Sequence, residues 1–167
     1  GLRQAYYKGI SKTVSQVEYA RELFEGFAGA GVTYLPLKGI TFRDVYPVAD
    51  ERSMGDVDVL VTRESYDSAV AVLVALGYVE QPEEEESAHH VVFYHEHKGA
   101  IELHHALMDF RRHNAEYDEF EKAIWDRRIE GTVCGLPCQL MGHVDTLVYM
   151  LMHMTAHFLV AGIGLKQ

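Results

Sequence analysis

Basic residues are scarce in this chain, at 15 Lys and Arg against 25 Asp and Glu, giving a formal net charge of −10. A nucleic-acid backbone calls for a basic surface, so broad binding to nucleic acid is not expected. Cysteine is scarcer still. Cys134 and Cys138 make no disulfide framework, and a reducing cytoplasm is the default compartment. No apolar run is long enough to span a bilayer, and no basic, apolar leader is read at the front. Gly1 stands where a methionine would begin the chain, which points to a trimmed or excised piece. Low complexity is confined to Glu83-Glu84-Glu85-Glu86, read as a solvated loop.

What is present suits a folded domain. The 167 residues are 48% hydrophobic and 24% charged, enough for one core or for a core plus a partial second unit. Ser15 and Glu18 have capping-box spacing, and Val17, Ala20, Phe24, Phe27 and Ala28 follow at helical spacing up to Gly29 and Gly31. Val32 to Leu37 reads as a strand running into Lys38-Gly39, with a short helix over Ile40 to Val45. A strand over Asp56 to Val61 precedes a helix capped by Thr62 and closed by Gly77. Val91–His95 and Ala100–Leu107 read as a hairpin turning at Lys98-Gly99, and Asn114 as the cap of a helix through Trp125. A second hairpin follows, over residues 129–133 and 136–141, with a turn through Gly135-Leu136-Pro137. Val144 to Val160 reads as a helix apolar enough to want partners on more than one side. This divides the chain into a catalytic portion, 1–141, and the start of a truncated C-terminal helical region, 142–167.

Asp56 and Asp58 are the residues that carry chemistry. In Gly55-Asp56-Val57-Asp58-Val59-Leu60-Val61 the acids fall on one strand face and the three valines on the other. Two anions at a strand mouth repel each other and resist desolvation, and a divalent cation relieves both costs. Hard oxygen ligands suit Mg2+ or Mn2+. The plainer reading is a solvated turn whose acids merely begin a strand. A third acid, Glu102, lies in Ile101-Glu102-Leu103-His104-His105 on the face opposite Ile101 and Leu103, together with His104. If that strand lies beside the Asp strand, three carboxylates converge, and with two metals about 3.5–4 Å apart they form a ligand set for in-line phosphoryl displacement. The ten histidines raise a different possibility, zinc, at His89, His90, His95, His97, His104 and His105 around one hairpin, or at His153 and His157 on a helix. His153-x-x-x-His157 lacks the glutamate of a helical protease motif, and most of these imidazoles are read as surface or core residues.

Leu37-Lys38-Gly39, Tyr46-Pro47, Arg52-x-Met54-Gly55-Asp56-Val57-Asp58 and Ile101-Glu102-Leu103-His104, taken in order, resemble the bacterial uncharacterised nucleotidyltransferase family. That family belongs to the superfamily of DNA polymerase beta and the kanamycin nucleotidyltransferases. The resemblance implies an α+β class, the minimal nucleotidyltransferase fold, with a mixed β-sheet flanked by helices. It implies Asp56, Asp58 and Glu102 as catalytic metal ligands for Mg2+ or Mn2+. Lys38, Gly39 and Arg52 are the implied contacts to a nucleoside triphosphate, ATP by family analogy, and His104, sharing a strand face with Glu102, is placed to touch the nucleotide. The implied reaction moves a nucleoside monophosphate onto the hydroxyl of a small molecule or protein and releases pyrophosphate. The superfamily's Gly-Ser turn is replaced here by Lys38-Gly39-Ile40, and Thr41 is misplaced to substitute for the serine. A nucleotide-holding module without turnover therefore stays open as the alternative, with a histidine-rich zinc protein behind it.

Overall fold

The computed structural model describes residues 2–43, 46–48, 55–82, 89–108 and 115–161. Helix α1 (Leu2–Gly29) leads into strand β1 (Tyr34–Leu37), and a tight 3-10 turn over Lys38–Ile40 follows. Strand β2 (Asp56–Val61), helix α2 (Tyr66–Ala75) and the short strand β3 (Val79–Glu80) come next. The hairpin of β4 (His90–His95) and β5 (Gly99–His104) precedes helix α3 (Ala115–Asp126). The small hairpin of β6 (Ile129–Val133) and β7 (Leu136–Leu140) leads to helix α4 (His143–Ala161).

Five strands form a mixed sheet in the order β1-β2-β5-β4-β3, in which β2 and β5 alone run parallel. Pro36 is tolerated because β1 is an edge strand of that sheet. Alternation sorts the side chains as expected. Val57, Val59, Val61, Ile101, Leu103 and Phe93 face one way, into a core with Leu23, Phe24, Phe27, Ala69 and Leu73 of α1 and α2. Leu35, Leu37 and Leu60 face the other way, onto Ile124 of α3 and Tyr149 of α4. The sheet is thus covered by helices on both faces, an α+β fold.

Several boundaries differ from expectation, for local reasons. The first helix begins at Leu2, well before Ser15, because nothing in residues 2–14 except Gly9 opposes continuation, and the capping-box pair becomes part of the helix interior. Thr62 takes the N-cap position of a 3-10 turn over Arg63–Ser65 that precedes α2, without a side-chain capping bond, and the Ser65 hydroxyl accepts from the Thr33 amide at 3.0 Å. Gly77 closes α2 at φ +86°, with the Tyr78 amide donating to the Leu73 carbonyl at 3.0 Å. The β6-β7 turn is Cys134-Gly135, both at positive φ, so Pro137 lies within β7 opposite Thr132. Strand β5 stops at His104, and Leu107 beyond it joins the α3–α4 core rather than continuing the face of Ile101. Asn114 and the glutamate run 83–86 lie outside the described residues.

Candidate active site

Strand pairing brings the acids together. In the parallel β2–β5 pair Asp58 lies opposite Glu102, Asp56 opposite Ala100 and Leu60 opposite His104. Asp56, Asp58, Glu102 and His104 therefore share the sheet face covered by α3 and α4. Asp56 opens its strand half-buried, whereas Asp58 is only 4% exposed.

Lys38 enters from β1. Leu37 pairs with Asp58, and the next residue kinks to φ +49°, a left-handed value uncommon for a lysine. The turn is held by Thr41, whose hydroxyl donates to the Lys38 carbonyl at 2.7 Å. The Lys38 ammonium donates to Asp58 Oδ1 at 2.6 Å and lies 3.7 Å from Glu102 Oε2. Backbone strain of about 1–2 kcal/mol at a non-glycine residue persists where the surroundings over-determine it, and here it aims a cation at two carboxylates. Gly39 follows inside the turn, half-buried.

His104 is fully buried beneath the acids. Its Nε2 lies 3.1 Å from Asp58 Oδ1 and 3.4 Å from Glu102 Oε2, while its Nδ1 has no hydrogen-bond partner. Burial opposes the charge on this ring, but the two carboxylates outweigh it and raise its pKa. Contact with His104 in turn holds the Glu102 carboxyl well below its ordinary range. Asp56 moves the opposite way, up to about 6, through burial first and then the fields of Asp58 and Glu102. Asp56 thus holds its proton to a higher pH than an ordinary carboxyl does.

The sequence missed Tyr149. This α4 side chain is 1% exposed, and its buried hydroxyl has no partner. Burial, reinforced by Asp58 and Glu102, raises its pKa and keeps it neutral. Nothing in the apolar pattern of residues 144–160 distinguishes it from a core tyrosine; only the packing of α4 brings it to the acids. Arg52 lies outside the described residues. His95 packs against Tyr78 and His97, His105 against Tyr66, and His153 against Tyr149.

The carboxylate oxygens fit a hard divalent cation. Those of Asp58 and Glu102 lie within 4.8 Å of each other and of a His104 nitrogen, and Asp56 hydrogen-bonds to Glu102. The Lys38 ammonium among these oxygens and the raised pKa of Asp56 are responses to the crowding of negative charge.

A model of the uncharacterised nucleotidyltransferase family matches residues 1–167, so the chain belongs to that family. No curated protein matches it. Among solved structures it is similar to the antibiotic-resistance factor ANT(2'')-Ia, with a TM-score of 0.60 at 15% identity, over 89% of this chain and 75% of that one. It is also similar to the lincosamide antibiotic adenylyltransferase LnuA bound to lincomycin, with a TM-score of 0.52 at 18% identity, over 77% of this chain and 83% of that one. At these identities the likeness establishes the fold. Among the described residues no helix is long and apolar enough to cross a membrane.

Proposed function

Starting from that family membership, we propose that the protein transfers a nucleoside monophosphate, AMP in the first instance, from a triphosphate to an acceptor hydroxyl. The acceptor is a small molecule or a protein side chain; a small molecule is favoured because the two similar structures are antibiotic-modifying or antibiotic-resistance proteins. The observation that carries this reading is the register of Asp58 with Glu102 beneath the Lys38 ammonium.

Asp56, Asp58 and Glu102 would hold Mg2+ or Mn2+. When bound, the ion would neutralise triphosphate oxygens and the charge that develops as pyrophosphate leaves. Lys38, already aimed by its backbone kink, would release Asp58 and pair with phosphate, and Arg52 would add a planar fork. Gly39 admits the phosphate close to the backbone. Buried His104 acts on the nucleotide through the acids, holding Asp58 and Glu102 in place from below. The acceptor oxygen attacks the α-phosphorus, its proton passes to the Glu102 carboxylate, and the bond from the α-phosphorus to the pyrophosphate oxygen breaks, so that pyrophosphate leaves. The net charge of −10 disfavours a nucleic-acid acceptor.

Calorimetric titration of ATP with Mg2+ tests the assignment, comparing wild type with Asp56→Asn and Asp58→Asn. Metal-dependent affinity should be lost in both variants; equal affinity in all three proteins would remove the reading. A module that binds nucleotide without turnover draws support from one observation, that the Thr41 hydroxyl is committed to Lys38 and cannot replace the missing serine. Pyrophosphate release across a panel of triphosphates and hydroxyl acceptors separates the two.

A further inference from the structure

Beside the acids, on the side away from Lys38, three imidazoles crowd together. His90 opens β4 directly opposite His104, and the His89 carbonyl accepts from the His105 amide at 3.0 Å, which fixes His89 at the same end of the hairpin. The ring centroids of His89–His90, His90–His104 and His89–His104 are 4.4, 5.0 and 5.5 Å apart. A ring nitrogen of each lies within 4.8 Å of the other two. We propose that His89, His90 and His104 form a zinc site, separate from the magnesium ligands and joined to them through His104.

Three features argue for it. His90 Nδ1 and His89 Nε2 are 3.1 Å apart. Two nitrogens bound at 2.0–2.1 Å to one tetrahedral zinc would be about 3.3 Å apart, so this pair is already near ligand spacing. His104 Nε2 is turned to Asp58 and Glu102, which leaves Nδ1 buried with no partner. A metal-bound histidine characteristically donates its other N–H to a carboxylate, and His104 has two carboxylates at that position. The donor chemistry also discriminates, since imidazole suits zinc while Mg2+ keeps to oxygen. Three protein nitrogens leave a fourth position for water. Zinc would replace the proton on Nδ1 and lock the tautomer in which Nε2–H serves the acids.

The test uses the full chain purified without a histidine tag, titrated with Zn2+ and, for its visible spectrum, with Co2+, both in excess Mg2+. One equivalent of Zn2+ should bind, and Co2+ should give the intense visible bands of a four-coordinate ion. His89→Gln and His90→Gln, both at half-exposed positions, should each weaken Zn2+ by more than about 100-fold, beyond the loss typical of an outer partner. Asp56→Asn, which touches none of the three rings, should keep zinc affinity within about twofold of wild type, a difference near the noise of such measurements. Undiminished Zn2+ binding in both histidine variants, or loss in Asp56→Asn alone, would overturn the site. Either result leaves the magnesium–nucleotide reading to its own test.

Discussion

Two buried aspartates are treated in opposite ways by this molecule. Asp145, in the first turn of α4, has a guanidinium to itself: Arg127 Nε donates to Oδ2 at 3.0 Å and Nη2 to Oδ1 at 2.7 Å. Each oxygen has its own donor, and the helix N-terminus favours the charge further. Asp58 offers one oxygen, Oδ1, to both Lys38 and His104, and both partners are shared with Glu102. The first arrangement is closed, with charge and hydrogen bonds balanced. The second is provisional, with three acids leaning on a strained lysine and a buried histidine. A dedicated partner suits a carboxylate that holds the fold, whereas shared partners suit the exchange of partners that the proposed function asks of Asp58.

The sharpest way to break that contrast is to neutralise each aspartate in turn. Asp58→Asn should weaken Mg2+–nucleotide binding by more than about 100-fold, since even outer-sphere partners of a metal cost 10–100-fold. Its effect on folding should be smaller than that of Asp145→Asn, because relief of one crowded charge offsets the loss of its pairing with Lys38 and His104. Asp145→Asn should do the reverse, lowering Tm while leaving nucleotide affinity within about twofold. Calorimetry of binding and thermal melts on both variants decide it; matching profiles would mean that the two aspartates do the same work.

The same contrast explains what could be read from the sequence. Asp58 and its valines were legible because a strand has a period of two, which assigns faces with no knowledge of neighbours. Its nearness to Glu102 was a bet, since periodicity does not fix which strand lies alongside; the parallel pairing of β2 with β5 supplied the register. Family resemblance carried that bet further than spacing alone could. Lys38 was legible as a residue type, but its reach to Asp58 depends on a positive φ that lysine does not advertise. Tyr149 was out of reach, because it arrives by the packing of a helix almost fifty residues after Glu102. The start of α1 was misplaced for a different reason: a capping-box pair is only a signal, and a run of helix formers before it overrides it.

Stability against pH sharpens the comparison next. Asp56 at about 6 and His104 above its ordinary value both bind protons more tightly in the folded state. The contribution of Asp56 is full below its ordinary value of 3.8 and is lost as pH rises through about 6, whereas that of His104 is full below 6.5 and is lost above it. Glu102 is depressed, so its contribution is present above the ordinary carboxyl value and fades below it. Without metal, Tm should therefore peak near pH ~4 and fall towards pH ~8. For half-exposed Asp56, solvent screening reduces the fall to about 1–2 kcal/mol. Mg2+ should flatten this limb, because a cation among the acids removes the need for the proton. Asp56→Asn should flatten it too. Thermal melts from pH 5 to 8, with and without Mg2+, read the difference, and a limb that ignores both changes would count against crowded acids.

The smallest effect tests whether Lys38 stands in for the cation. If its ammonium is a placeholder on Asp58, removing it has two consequences of opposite sign. Lys38→Met leaves the acids with no resident positive charge, so Mg2+ alone should bind more tightly, by a few-fold. The Mg2+–triphosphate complex should bind more weakly, by about fivefold, because about 1 kcal/mol of phosphate pairing is lost. A lysine that merely braces the fold through an ion pair would move both affinities in one direction. Lys38→Gly controls for the backbone, since glycine accepts φ +49° without penalty while methionine keeps the strain. Both variants should show the same split in affinities, with Lys38→Gly melting higher than Lys38→Met. Losing the split in the glycine variant would mean that the kink, rather than the charge it delivers, governs the site.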